Sequence, residues 1–386
     1  MDKTTVGNLC KPYVGQLRLD DDTLIDYFDI SSVDNIEKRI TGYTTYTFAK
    51  APSRARKQVK KGDILVSTVR PNLNAVALFD KETKNTPVVS TGLCVLECKA
   101  DTSPRFLLRY LQSKSFVRAM VSQATGASYP AVSDKIVRDA QIPAYSYEEQ
   151  IQIANVLDAT ANIISKQKQQ LQKLDDLVKA RFVELFGDPL IESGRYPKVP
   201  LGGLTEVGSS KRIFEKEYVS EGVPFYRTKE VVELSKGNRI TTELFITKER
   251  YDEIRSEYGV PQKGDLLISA VGTIGVIWIV DGKNDFYYKD GNLLRVSATE
   301  RFVPEYLKHL LEALIGAYKS EMSSGTAYAA LTISALKEMM VYDVPYAEQK
   351  QFAAFVTQTD KSKAVVQKAL DEAQLLFDSL MQKYFG

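Results

Sequence analysis

In 386 residues the chain has one histidine, one tryptophan and three cysteines, and each scarcity excludes something. His309 stands between Lys308 and Leu310 on a predicted helix, where a packing or surface role fits better than membership of a His-dependent triad. Cys10, Cys94 and Cys98 are odd in number and lack disulfide-framework spacing, so they read as reduced thiols of a cytoplasmic protein. Cys94 and Cys98 lie four apart in an extended run, ~13 Å along a strand, too far to share a zinc ion without a sharp bend; they are expected to be core thiols. No window reaches the ~18 uninterrupted apolar residues of a membrane helix. Met1-Asp2-Lys3-Thr4 has no apolar core behind it to suggest a signal peptide. The 51 basic and 49 acidic residues nearly cancel, leaving +2, so any nucleic-acid surface must arise from local segregation of charge.

Cofactor motifs are missing too. Gly282-Lys283 is followed by Asn284, not by the Ser or Thr of a phosphate loop. There is no Asn/Asp-Pro-Pro-aromatic run and no glycine-rich dinucleotide turn after a strand. Asp188, Glu192 and Lys198 loosely imitate a nuclease carboxylate set but fall in a turn-rich linker, where chance explains them better. No catalytic residue, metal or cofactor is expected in this chain.

What is present is a duplication. Glu148 to Gly187 returns as Ala347 to Gly386: Glu149-Gln150 answers Glu348-Gln349, and Phe186-Gly187 answers Phe385-Gly386, both at an offset of 199. In the first copy Leu157, Ile164, Leu171, Val178 and Leu185 recur every seven residues, flanked by Ile153, Leu174 and Phe182, the seam of a packed helix. The second copy keeps Phe352, Val356, Leu370, Phe377, Leu380 and Tyr384 but puts Lys363 opposite Ile164. Each helix would run roughly 58 Å, longer than a small domain is wide. Ahead of them, Lys61-Gly62-Asp63-Ile64-Leu65-Val66-Ser67 answers Lys263-Gly264-Asp265-Leu266-Leu267-Ile268-Ser269 at 202, Pro104 answers Pro304, and Gly126 with Tyr129 answers Gly325 with Tyr328. Residues 1–60 and 200–262 share little.

The predicted architecture is α+β: a mixed β-rich domain followed by a long helix, duplicated in tandem. Its segments are residues 1–146, a helix over 147–187, residues 188–345, and a helix over 346–386, with the break in the Gly/Pro-rich stretch after Gly187. The Lys-Gly-Asp triplets read as turns that open strands, the Asp bonding to backbone amides, and Gly272-Thr273-Ile274-Gly275 as a tight turn.

Binding chemistry remains. Lys50, Arg54, Arg56, Lys57, Lys60, Lys61 and Arg70 crowd one stretch with the single acid Asp63. Ser53, Asn72 and Asn74 flank them, and Tyr43, Thr44, Thr45 and Tyr46 precede them. Arg can grip guanine, Asn adenine, and hydroxyls can hold phosphates; a plain solvated face is the competing reading. The second half offers Lys211, Arg212, Tyr226, Arg227, Thr228, Lys229 and Thr273, with Lys236, Arg239 and Arg250 more mixed with acids.

The whole chain resembles the specificity subunits of type I restriction–modification systems. The resemblance rests on Gly-Asp-Ile/Leu-Leu-Val/Ile-Ser at 62–67 and 264–269, on Gly272 to Gly275, on the turns Gly126-Ala127-Ser128-Tyr129 and Gly325-Thr326-Ala327-Tyr328, and on Pro143 to Gln150 feeding a helix that ends in Phe-Gly. Ala270 is a departure, standing where such proteins often carry arginine. The resemblance implies two target-recognition domains, each reading half of a split, asymmetric DNA sequence. It implies that the two long helices pack as an antiparallel coiled coil and space the half-sites. The implied partners are double-stranded DNA, two methyltransferase subunits that bring S-adenosylmethionine, and restriction subunits that bring ATP and Mg. Exposed helix positions would hold the methyltransferase subunits. A self-sufficient methyltransferase or nuclease, and an architectural protein indifferent to DNA sequence, are the rival readings.

Overall fold

The structure, a computed structural model, describes residues 2–13, 17–191, 195–322 and 330–386; Glu192 and the turn Gly325 to Tyr328 lie outside them. Two compact units emerge, one of Met1–Gln169 with Gln367–Gly386 and one of Gln170–Val366. The four expected segments regroup, because each long helix gives one half to each unit.

In the first unit the strand Ile64–Ser67 lies between Leu93–Leu96 and Val76–Leu78, antiparallel to both. A four-stranded sheet runs Thr44–Thr47, Leu24–Phe28, Thr86–Ser90, Ala55–Gln58, in which only Leu24–Phe28 and Thr86–Ser90 are parallel. The helices Pro104–Leu111, Lys114–Gln123 and Asp134–Asp139 start on Ser103, Ser113 and Ser133, whose hydroxyls accept from the third amide of each helix. Of the three, only the first is expected from the sequence, where Pro104 opens apolar residues at helical spacing through Leu111. Lys3–Thr5 pairs with Gln141–Pro143, just before the first long helix, Tyr147–Phe186.

The second unit repeats this plan. Leu266–Ser269 lies between Leu293–Val296 and Ile277–Ile279, and Lys198–Pro200 pairs with Met340–Tyr342, just before the second long helix, Tyr346–Phe385. A smaller sheet joins Phe245–Ile246, Val223–Tyr226 and Tyr287–Tyr288. Residues 200–262, which share little sequence with residues 1–60, contain the helices Thr228–Ser235 and Lys248–Glu257.

The duplicated motifs hold duplicated bonds. The amides of Lys60 and Gln262 donate to Asp63 and Asp265 Oδ2, each at 2.9 Å, while Gly62 and Gly264 take left-handed backbone, φ +96° and +91°. Gln150 and Gln349 are buried. Gln150 Oε1 accepts from the amide of Ser103 at 3.0 Å and its Nε2 donates to the Tyr145 carbonyl at 3.0 Å. Gln349 Oε1 accepts from Val303 at 2.8 Å, and its Nε2 donates to the carbonyls of Val344 and Arg301 at 2.8 and 3.0 Å.

Each unit buries the start of one long helix with the end of the other, which is antiparallel packing. In the first, Ile153 and Leu157 share a core with Phe377, Leu380, Tyr384 and Phe385. In the second, Val178, Phe182, Leu185 and Phe186 share one with Phe352 and Val356. The closing phenylalanines are ring plugs: Phe385 meets Phe106 and Tyr110 at 5.4 and 5.7 Å, Phe186 meets Tyr306 and Phe352 at 4.9 and 5.7 Å. Of the remaining seam positions Ile164 is buried, and Leu171 and Leu370 are half-buried. Lys363 escapes burial of a bare charge by pairing with Asp175 at 2.6 Å and Asp360 at 3.4 Å.

Removing a buried amide strands its partners. Gln349→Ala should therefore cost about 2–4 kcal/mol in urea unfolding followed by the fluorescence of Trp278, the single tryptophan, while the exposed Gln172→Ala should leave that transition unmoved.

Candidate nucleic-acid interface

Of the seven cations between Lys50 and Arg70, the fold neutralises three. Lys57, its side chain 13% exposed, bonds Asp134 at 2.6 Å and the Leu93 carbonyl at 2.8 Å. Lys60 pairs with Glu97 at 2.5 Å, and Lys61 with Glu82. Arg56 lies over Phe48 at 5.1 Å and bonds the Ala55 carbonyl. These partners correct the simple picture of a free basic run, because the acids come from segments remote in sequence. Lys57 in particular is a structural cation. Lys50, Ser53 and Arg54 are exposed, as are Thr44, which opens the edge strand Thr44–Thr47, and Tyr43 just before it; no ion pair holds Lys50 or Arg54 among the described residues.

Arg70, Asn72 and Asn74 share the hairpin between Ile64–Ser67 and Val76–Leu78. Arg70 and Asn72 are exposed. The Arg70 guanidinium lies 4.7 Å from the ring centre of Tyr129, and its amide donates to the Pro130 carbonyl at 2.7 Å. Asn74 is committed instead to the chain: its Nδ2 donates to the Leu111 carbonyl at 3.1 Å, and Lys38 Nζ donates to its Oδ1 and its carbonyl. It is thus an anchor of the hairpin rather than a free adenine reader. Lys38 and Tyr129 belong to this cluster although nothing local in the sequence marks Lys38.

In the second unit Tyr226, 7% exposed, stacks on Phe286 at 4.6 Å within an aromatic core, so its assignment as a contact residue is corrected to packing. Arg212 is paired with Asp290 at 2.8 Å and Arg250 with Glu217 and Glu253. Lys211 lies over Tyr258 at 4.7 Å. Arg227, Thr228 and Lys229 open the helix Thr228–Ser235 and line a cleft of about 520 Å³ together with Lys289, Asn292 and Glu243. Arg227 is steadied by Glu230 at 3.0 Å, yet its Nε and the Thr228 Oγ1 find no acceptor or donor among the described residues. Lys289, Asn292 and Glu243 carry no local signal in the sequence that would mark them. Thr273 is exposed in the turn bounded by Gly272 and Gly275.

The thiols differ from expectation in one respect. Burial raises Cys94 to about 12, as suits a core thiol. Cys98, however, is half-buried and sits across an antiparallel bridge from Cys10. A hydrogen bond between the two thiols pulls Cys10 down and pushes Cys98 up. His309 packs edge-on to Phe352 at 5.5 Å, its Nδ1 3.2 Å from Glu312.

Known proteins share both the sequence pattern and the fold. The sequence model of the type I restriction modification DNA specificity domain matches residues 18–175 and again residues 195–374. A Haemophilus influenzae protein named as a putative type I restriction enzyme specificity subunit is 25% identical over 296 residues, 75% of this chain and 72% of its own. The HindI specificity subunit of the same organism is 29% identical over 140 residues, 36% of this chain and 30% of its own. Among solved structures, a chain from a study of complex assembly in a type I restriction–modification system superposes with a TM-score of 0.61 at 22% identity, covering 100% of this chain and 97% of that one. The S subunit from M. genitalium gives 0.57 at 17%, covering 100% and 96%.

The split between structural and free cations is testable by unfolding alone. Lys57→Ala should lose about 1–2 kcal/mol, since Asp134 and the Leu93 carbonyl lose their donor, whereas Arg54→Ala should change stability by less than about 0.5 kcal/mol.

Proposed function

The chain belongs to the type I restriction–modification DNA specificity family, and from that premise we propose that it is the DNA-reading subunit of such a complex, recognising a bipartite, asymmetric target and directing methyltransferase and restriction subunits to it. The observation that carries the reading is a frame built twice from the same bonds, with unlike side chains presented on it. A strand opened by Asp63 or Asp265 and a helix locked by Gln150 or Gln349 recur in each unit. The first then presents Lys50, Arg54, Arg70 and Asn72, the second Arg227, Thr228, Lys229 and Lys289. Equal frames with unequal surfaces suit two half-sites of different sequence.

In this reading the chain is not itself an enzyme. The buried carboxylate Asp26 is committed to structure: it is held below the usual carboxylate range although burial alone would raise it, because Asn85, Thr45 and the amide of Lys84 donate to it. S-adenosylmethionine, ATP and Mg are assigned to the partner subunits. Two methyltransferase subunits would seat on apolar side chains that the long helices leave exposed: Val156, Ile163, Leu375 and Leu376 in the first unit, Leu177 and Val365 in the second. No described helix is long and apolar enough to cross a membrane, and the proposed site of action is the cytoplasm.

Co-expression of the chain with its methyltransferase subunit, followed by mapping of adenine methylation on the host genome, should return one motif of two unlike halves around a fixed gap. Methyl transfer by the purified chain alone would overturn the non-catalytic assignment, and methylation without any motif would favour the architectural rival. In titrations of the complex with its target duplex, Lys50→Ala with Arg54→Ala should flatten the dependence of log K on log salt by about 1 for each phosphate no longer neutralised.

A further inference from the structure

Among the described residues, three that are not glycine have left-handed backbone: Lys38 (φ 55°), Arg70 (φ 50°) and Asn74 (φ 49°). All three meet in one hairpin of the first unit. Arg70 and Asn74 flank its short turn Pro71–Leu73, and Lys38 holds Asn74 through both its side-chain and its main-chain oxygen. In L-residues with a Cβ this conformation costs steric strain, and such outliers gather where a side chain must be held in one place.

The duplicated unit supplies an internal control. Its corresponding hairpin hangs on the same frame: Thr68 and Ala270 donate to Gly92 and Asn292, Val132 and Leu331 donate back to Thr68 and Ala270, all at 2.9 Å, and Val69 and Val271 bridge Ala131 and Ala330. There the left-handed positions are Gly272 and Gly275, with φ 74° and 88°. The second hairpin is one residue shorter, closing from Ser269 to Val276 where the first closes from Ser67 to Ala75, but it makes its left-handed bends with glycine and so without strain, whereas the first unit keeps an arginine where the second has no side chain.

That arginine is placed to bind something outside the chain. It is exposed, has no carboxylate partner and makes no side-chain hydrogen bond within the described residues, yet its guanidinium lies over the ring of Tyr129, itself 67% exposed. The ring contact restrains the guanidinium and leaves its N–H donors without a partner among the described residues, so less freedom is lost on binding. A phosphate accepts from a guanidinium fork but is served as well by the point charge of a lysine. A guanine edge asks for two coplanar donors in a set orientation.

Resting on the DNA-reading role above, we propose that Arg70, clamped by Tyr129 and by the Lys38–Asn74 anchor, reads a guanine edge in one half-site, and that the other half-site has no counterpart to this contact because Gly272 stands in its place. Arg70→Gly copies the backbone solution of the second unit and should fold with an unchanged or higher Tm. Mapped by methylation in the co-expressed complex, it should make one G·C position of one half-site degenerate, with discrimination falling on the order of 10- to 100-fold, and leave the other half-site intact. Arg70→Lys, which keeps the charge but not the fork, should lose the same position.

Full discrimination in Arg70→Lys, with Arg70→Gly merely weaker on all sequences, would make the contact a phosphate contact and overturn the proposal; so would an unchanged motif in both variants. A wild-type complex that methylates without any bipartite motif would instead remove the reading on which the proposal rests.

Discussion

The buried amide of Gln150, and of Gln349 in the second copy, is the constraint on which each unit depends. A carboxamide out of water must satisfy both its ends, and here the two ends span different elements. The oxygen takes the amide that precedes Pro104 or Pro304; the nitrogen holds the carbonyl just before the long helix. The amide before the first helical position has no acceptor within the helix and must find one elsewhere. The long helix is thereby fixed to the helix that covers the central strands, Pro104–Leu111 in the first unit and Pro304–Met322 in the second, and those strands carry the presenting hairpins. A closing phenylalanine from the other long helix, Phe385 or Phe186, seals the same joint with ring contacts.

This explains what was legible in the sequence. Glu-Gln, Phe-Gly, Gly-Asp and the prolines repeat at nearly constant offsets because each is demanded by a specific buried bond, a left-handed turn or a ring socket, and few other residues would serve. The heptad of the long helices was legible for the same reason, since a seam must be apolar wherever it is covered. Lys363 shows the tolerance of that rule: one cation enters the seam because Asp175 and Asp360 meet it.

What escaped the sequence was pairing over distance. The cations from Lys50 to Arg70 look unopposed in a window that holds one acid, but Asp134, Glu97 and Glu82 arrive from other elements and neutralise three of them. Cys10 and Cys98, 88 positions apart in the numbering, become neighbours only through a bridge. Tyr226 looked like part of a polar-aromatic grip because its run reads Tyr-Arg-Thr-Lys, yet the strand that carries it sends the tyrosine into a cluster with Phe286 and Trp278, and Arg227 and Thr228 to the cleft. The strand does not alternate at its end, Phe225 and Tyr226 being buried in one core, and a strand of four residues ending in a helix start is too short to announce this.

The two copies divide their sequence accordingly. Positions that close the frame are held to one residue type by buried bonds, whereas a hairpin tip is restrained only by its backbone, and its backbone is restrained by the frame. Thr68 and Ala270 differ in side chain but make the same main-chain bonds to the neighbouring strand and to the segment before the helix. A tip held in that way accepts glycine without loss and accepts arginine at a tolerable strain, so its side chain can change while the fold does not. The strain at Arg70 and Asn74 is small beside the burial that holds the hairpin's base, where Ile64, Val66 and Val76 belong to the same core as Phe106 and Phe385. Rigid frame and free tip are thus consequences of where hydrogen bonds are made by main chain and where by side chain, and it is the main-chain bonds that let one frame carry two different surfaces.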